Sequence, residues 1–157
     1  MRSLDSTADS TAGAVILAVD DDHHNLFMLQ RRLEGHNYRV FTASSGKSAM
    51  DLAAEHSPDL ILLDITMPEM DGFAVKEALN QDDRLGSIPV IFLSDRVQIE
   101  FKVRAYGLGG TDFLSKPFHP EELLARMQVG LRHHMRARMY ENEISNLEEA
   151  MRTGGVQ

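Results

Sequence analysis

The sequence predicts a doubly wound α/β domain: a five-stranded parallel sheet with helices on both faces. Three observations predict it. Short, unbroken apolar runs recur along the chain, as strands buried on both sides require. Segments with helical apolar spacing alternate with these runs. Most of the runs also stop on a polar residue, at the strand ends where such folds bind ligands.

The elements follow in order. Val15 to Val19 is the first apolar run and stops at Asp20, Asp21 and Asp22. His23 to Gly35 carries Leu26, Leu29 or Gln30, and Leu33 at helical spacing, with Gly35 as the expected C-cap. Tyr38 to Ala43 is a second short strand. Ser45 to Ser57 sets Ala49, Leu52 and Ala53 on one helical face and is broken by Pro58. Leu60 to Leu63 runs straight into Asp64, and TMPEMDG turns the chain before a helix over Phe73 to Gln81. Ile88 to Leu93 is the fourth strand and ends at Ser94 and Asp95. A helix from about Arg96 to Tyr106 is stopped by Gly107, Gly109 and Gly110. Asp112 to Ser115 is the fifth strand, ending at Lys116 and Pro117, and Pro120 suits the first turn of the final helix.

Bulk properties exclude several functions. At 157 residues with a hydrophobic fraction of 43%, the chain has material for one domain with a core. A net charge of −8 repels nucleic acid and anionic lipid, so neither direct nucleic-acid binding nor membrane binding is expected. The absence of cysteine excludes disulfides, thiolate zinc sites and thiol catalysis, and fits a cytoplasmic protein. Residues 1–12 are poor in apolar side chains and read as a disordered leader, and the apolar run after them is too short for a signal or membrane segment. Residues 13–131 then form the domain, and 132–157 a helical extension.

The chemistry lies in the strand-end residues. The fold collects Asp20, Asp21, Asp64, Ser94 and Lys116 at one edge, and three carboxylates held together there need a cation or a shared proton. An oxygen-only donor set favours Mg²⁺ or Mn²⁺ over zinc. With the metal, the Lys116 ammonium and the Ser94 hydroxyl to stabilise equatorial oxygens, one carboxylate can act as nucleophile toward a phosphoryl group.

VDDD, LLDITMPEMDG, FLS and FLSKPF occur in that order after or within the first, third, fourth and fifth strands. From Val15 to Leu131 the chain thus resembles the receiver domains of two-component response regulators, which have the flavodoxin-like form of this fold. The resemblance implies that Asp64 accepts a phosphoryl group from a sensor histidine kinase or phosphotransfer protein. It implies that Asp21, Asp64 and the backbone carbonyl of Thr66 bind Mg²⁺, with Asp20 assisting through water. It also implies that Lys116 bridges to the phosphoryl group, that Ser94 moves to hydrogen-bond it, that Phe113 follows as a rotamer switch, and that the Lys116–Pro117 bond is cis. Asp95 departs from the family, which usually has a small residue there; a further carboxylate at the mouth would narrow access or repel a donor.

Several residues have blander readings. Asp20, Asp21 and Asp22 can be an acidic run capping a helix. His23 and His24 point about 100° apart on a helix and cannot easily share an ion; His133 and His134 are discounted likewise, and His119 reads as a surface residue at a helix start. Beyond the domain, Leu124, Met127, Leu131, Met135 and Met139 continue at helical spacing, then Tyr140, Ile144, Leu147 and Met151, with a slip near Met139 and Tyr140. This predicts a helix that pairs with a second subunit in a coiled coil; the helix over Arg96 to Tyr106 together with the final helix offers another homodimer surface. Any enzymatic output would then belong to sequence outside this chain. Two alternatives compete: a metal-dependent aspartyl phosphohydrolase, whose second acid two residues past the nucleophile is here Thr66, and a phosphorylation-independent interaction module.

Overall fold

The computed structural model describes residues 11–154. Five strands, β1 (Val15–Val19), β2 (Arg39–Ala43), β3 (Leu60–Asp64), β4 (Val90–Ser94) and β5 (Asp112–Ser115), form one sheet in the order β2-β1-β3-β4-β5. Every pairing is parallel. Five helices alternate with them: α1 (His23–Glu34), α2 (Gly46–His56), α3 (Gly72–Leu79), α4 (Ile99–Gly107) and α5 (Pro120–Gly154). Of the predicted leader, residues 1–10 lie outside the described residues. Thr11 is buried and shares a 3.1 Å hydrogen bond with the Tyr38 hydroxyl.

Side chains alternate across each strand, so the sheet has two cores. On one face Leu17, Ile61, Leu63 and Phe92 meet Ala49 and Ala53 of α2, Phe73 and Leu79 of α3, and Ala105 of α4. On the other, Ile16, Leu62, Ile91 and Leu114 meet Leu33 of α1 and Leu123, Met127 and Leu131 of α5. The sheet-facing stripe of α5 therefore begins at Leu123, one residue before the expected Leu124.

Local hydrogen bonding explains where boundaries differ from expectation. Gly35 is the C-cap of α1, as expected; it keeps a right-handed φ of −64°, and the positive φ after the helix falls at Asn37. The α4 helix starts at Ile99 rather than near Arg96, because the Arg96 amide donates to Ser94 Oγ at 2.9 Å and holds the intervening chain as a loop. A single helical turn, Asp83–Gly86, lies between α3 and β4. The Asp82 carboxylate accepts from the Arg84 and Leu85 amides to start it, and four residues are too few to show a period.

The α5 helix is continuous for 35 residues, about 50 Å at 1.5 Å per residue. Its first third packs on the sheet. Past the core an ion pair, Arg138 Nη1 to Asp59 Oδ1 at 3.6 Å, ties it to the N-terminal edge of the strands, and the rest projects with exposed side chains.

Candidate functional site

The strand order reverses at β1, so β1 and β3 flank the point where two crossovers part and leave a crevice at their carboxyl ends. Register sets what stands there: Val19 pairs with Leu63, which places Asp20 and Asp64 side by side one residue further on. Both are buried, at 7% and 6% exposure, while Asp21 faces solvent. Carboxylate oxygens of Asp20, Asp21 and Asp64 all lie within 4.8 Å of one another. The capping reading of the acidic run holds for its third member, since Asp22 accepts from the His24 and Asn25 amides at the start of α1.

Lys116 reaches this cluster from the end of β5. Its amide donates to the Ser94 carbonyl at 2.7 Å, which extends the β4–β5 pairing, and the Lys116–Pro117 bond is cis. The ammonium then donates to Asp20 Oδ2 at 3.1 Å and to Asp64 Oδ1 at 3.3 Å. Burial pulls its pKa down, but the carboxylates of Asp64 and Asp20 outweigh burial and raise it, so it stays charged.

Asp64 moves the other way. Burial, against the opposing pull of Lys116 and helped by the charges of Asp20 and Asp21, pushes its pKa from 3.8 to about 6. One ammonium does not fully compensate three carboxylates. A divalent cation would supply the missing charge, and the oxygen-only donors fit Mg²⁺ or Mn²⁺. No histidine joins this cluster among the described residues. His23, His24, His119 and His133 are exposed, and half-buried His134 lies on the distal part of α5.

The loop after Asp64 is held tightly. Gly72 donates its amide to the Ile65 carbonyl at 2.8 Å, closing the TMPEMDG turn onto the end of β3. A Cβ at Gly72 would collide with the Asp64 carbonyl and stand 2.9 Å from Ile65 Cα, so only glycine lets the backbone pass there. Thr66 follows Asp64 by two residues on the exposed side of this turn. Ser94 is buried at 1% exposure with its hydroxyl oxygen engaged by Arg96, and Phe113 is buried on neighbouring β5 with Lys102 Nζ 5.9 Å from its ring centroid.

Two residues escaped the sequence reading. Asn25, in the first turn of α1, donates to Asp20 Oδ2 at 3.4 Å, and nothing in the sequence marks it. Lys76, on α3, is 1% exposed and donates to Asn80 Oδ1 at 2.8 Å and the Gly86 carbonyl at 3.3 Å. Burial lowers its pKa, and no pattern in the sequence marks it as an inward lysine.

A groove of about 530 Å³ opens from Asp20 and Lys116 along α1, between Met28 and Leu29 on one side and Pro117 and Phe118 on the other, with Asp95 at its rim. A larger one, about 720 Å³, lies at the opposite end of the sheet between Ile88, Gly130 and His134, and holds none of the clustered residues.

The response regulator receiver domain profile matches residues 16–128. The chain belongs to the response regulator receiver family. It is 40% identical over 117 residues to the DNA-binding dual master transcriptional regulator RpaA of a Synechocystis species, covering 74% of this chain and 48% of that protein. It is 36% identical over 130 residues to the transcriptional regulatory protein KdpE of Mycobacterium tuberculosis, covering 83% and 56%. This receiver thus spans about half the length of the curated relatives it matches. Among solved structures, the chemotaxis protein CheY4 of Vibrio cholerae matches with a TM-score of 0.71 and 34% identity, covering 74% of this chain and 98% of that one. The Francisella response regulator 1452 receiver domain matches with a TM-score of 0.72 and 28% identity, covering 77% and 98%. These relatives are response regulators, which favours the receiver over both the phosphohydrolase and the phosphorylation-independent module. No described helix of this receiver is long and apolar enough to cross a membrane.

Proposed function

We propose that Asp64 is the phosphoacceptor of this receiver and that the rim around it is a phosphoryl-transfer site. The Lys116 ammonium, shared between Asp20 Oδ2 at 3.1 Å and Asp64 Oδ1 at 3.3 Å, is the observation that carries this reading. An Asp64 oxygen attacks the phosphorus of a phosphohistidine on the partner kinase or phosphotransfer protein. The new O–P bond forms as the P–N bond breaks, and the imidazole keeps the bonding pair. Already bonded to both carboxylates, the Lys116 ammonium stands where it can hydrogen-bond the incoming group and stabilise its charge.

Asp21 and Asp64, with the Thr66 carbonyl and Asp20 through water, would hold Mg²⁺ or Mn²⁺. When bound, the cation offsets the charge on the transferred oxygens. Ser94 gives up the Arg96 amide to bond the phosphoryl group, and Phe113 repacks with it. Apart from accepting and losing its own phosphoryl group, the chain performs no chemistry on this reading. Residues 13–131 act as the receiver and 132–157 as its extension, of which 155–157 lie outside the described residues.

The groove beside α1 suits the donor protein: Phe27 and Met28 are exposed next to it, and it leads to Lys116. We read this receiver as cytoplasmic. Homodimerisation has two candidate surfaces: the apolar stripe Ile99, Val103 and Tyr106 on α4, and the projecting half of α5, whose Tyr140, Ile144, Leu147 and Met151 are exposed.

Incubation with acetyl phosphate and Mg²⁺ followed by intact-mass measurement tests the assignment. The parent gains one phosphoryl group and Asp64→Asn does not; uptake that persists in the variant would refute Asp64 as the acceptor.

A further inference from the structure

We propose that the projecting half of α5 pairs in parallel and in register with a second copy of this chain, through a seam of Ala137, Tyr140, Ile144, Leu147 and Met151. The inference rests on the homodimer reading and adds its direction, register and contact residues. The seam steps by three, four, three and four residues, the a/d spacing of a two-stranded coiled coil. All five side chains are exposed, Tyr140, Ile144, Leu147 and Met151 between 56% and 74%.

This seam does not continue the stripe that packs on the sheet. At about 100° per residue, Ile144 lies roughly 100° round the axis from Met127. The apolar face therefore turns away from the receiver's own core below Met135, and no part of the same domain can cover it. Followed back toward the sheet, the seam meets His133 and Arg126, so it stops at Ala137. Exposed Met139 falls off it.

The occupant follows from the flanking charges. With Ile144 and Met151 at a, and Tyr140 and Leu147 at d, the g positions are Arg136 and Glu143 and the e positions Glu141 and Glu148. In a parallel pair each g faces the e of the next heptad on the partner, which joins Arg136 to Glu141 twice and opposes Glu143 to Glu148 twice. In an antiparallel pair e faces e and g faces g. Glu141 then meets Glu148, or itself, and no opposite charges pair in either of the two registers that keep the seam matched. Charge complementarity thus selects the parallel pair, and β-branched Ile144 at a with Leu147 at d favours two strands. Two heptads with one repulsive layer make a weak contact, one that changes in the attached domains can shift.

The chain has no cysteine, so single substitutions report cleanly. In the full chain, Ala137→Cys and Met151→Cys should each crosslink to the same residue of a second copy under mild oxidation, several-fold above Glu149→Cys on the outer face. Arg136→Glu should weaken the dimer roughly tenfold in sedimentation, and adding Glu141→Arg should restore it. Crosslinks that form only between an Ala137→Cys chain and a Leu147→Cys chain, or only between a Tyr140→Cys chain and a Met151→Cys chain, would overturn the parallel register. Monomeric protein, or Arg136→Glu dimers as tight as the parent's, would overturn the seam. None of these residues touches the rim, so acetyl phosphate uptake measured on the same samples reports separately. Loss of uptake with intact crosslinks would refute the receiver site alone, and uptake without same-residue crosslinks would refute the seam alone.

Discussion

Lys116 Nζ sits 3.3 Å from Asp64 Oδ1, and the same ammonium bonds Asp20 Oδ2, so one cation is divided between two buried carboxylates. Removing it leaves like charges without a partner and strips the rim of a fixed donor. Lys116→Met should slow phosphoryl uptake from acetyl phosphate on the order of 10²-fold, the scale seen when a preorganised donor to a developing anion is lost. Intact mass against time checks this; uptake at the parent's rate would remove Lys116 from the site.

Asp64 makes the apo fold sensitive to pH. Its folded pKa of about 6 lies above the ordinary 3.8, so its contribution to stability is complete below about 3.8 and is lost as pH rises through 6. In EDTA, Asp64→Asn should be more stable than the parent at pH 7.5, by roughly 1–2 kcal/mol after screening at an open rim, and the gap should close by pH 4. Thermal midpoints across that range provide the test. Mg²⁺ should raise the midpoint of the parent more than that of the variant.

Gly72 admits no side chain because the Asp64 carbonyl occupies the space a Cβ would take. Gly72→Ala must push the TMPEMDG turn away from β3, at a cost of about 1–3 kcal/mol. Urea midpoints should fall accordingly. Phosphoryl uptake should fall with them, since Asp64 and Thr66 lie on the displaced segment.

Ser94 caps the chain leaving β4 through the Arg96 amide, 2.9 Å away. Ser94→Ala should cost about 1 kcal/mol of stability yet leave Asp64 able to take a phosphoryl group. Its signature should be the loss of the Phe113 chemical-shift change that beryllofluoride with Mg²⁺ produces in the parent. A variant whose Phe113 responds as before would break the proposed link between the two residues.

Asp95 is exposed at the rim of the groove that reaches Asp20 and Lys116. Asp95→Ala should speed uptake from a small anionic donor several-fold, more at low than at high salt, because screening already weakens the repulsion it removes. Equal rates would show that the carboxylate does not guard the entrance.

The alternation of apolar runs and helical segments made the sheet and its order of elements legible, because strands buried on both faces leave an unmistakable pattern. The rim residues were legible for the same reason: Asp20, Asp64, Ser94 and Lys116 each follow or end such a run. Contacts that depend on distant packing were not. Lys76 reads as a surface lysine until the Asp83–Gly86 turn and Asn80 close over it, and Asn25 has no reason to face Asp20 until β1 and α1 meet. The handover on α5 from one apolar stripe to another showed in the sequence only as a slip near Met139. Its cause is the end of the sheet, beyond which the helix has no domain of its own to face.

The unbroken α5 helix has a mechanical consequence. Its first turns touch the sheet near the ends of β4 and β5, while its far end clears the opposite edge, and with every intervening turn hydrogen-bonded the rod transmits twist rather than absorbing it. A small roll of Leu123 and Met127 against the sheet would re-aim Ile144 and Leu147 by the same angle. Such a helix would act as a torsion bar whose grip and whose blade lie at opposite ends of one molecule.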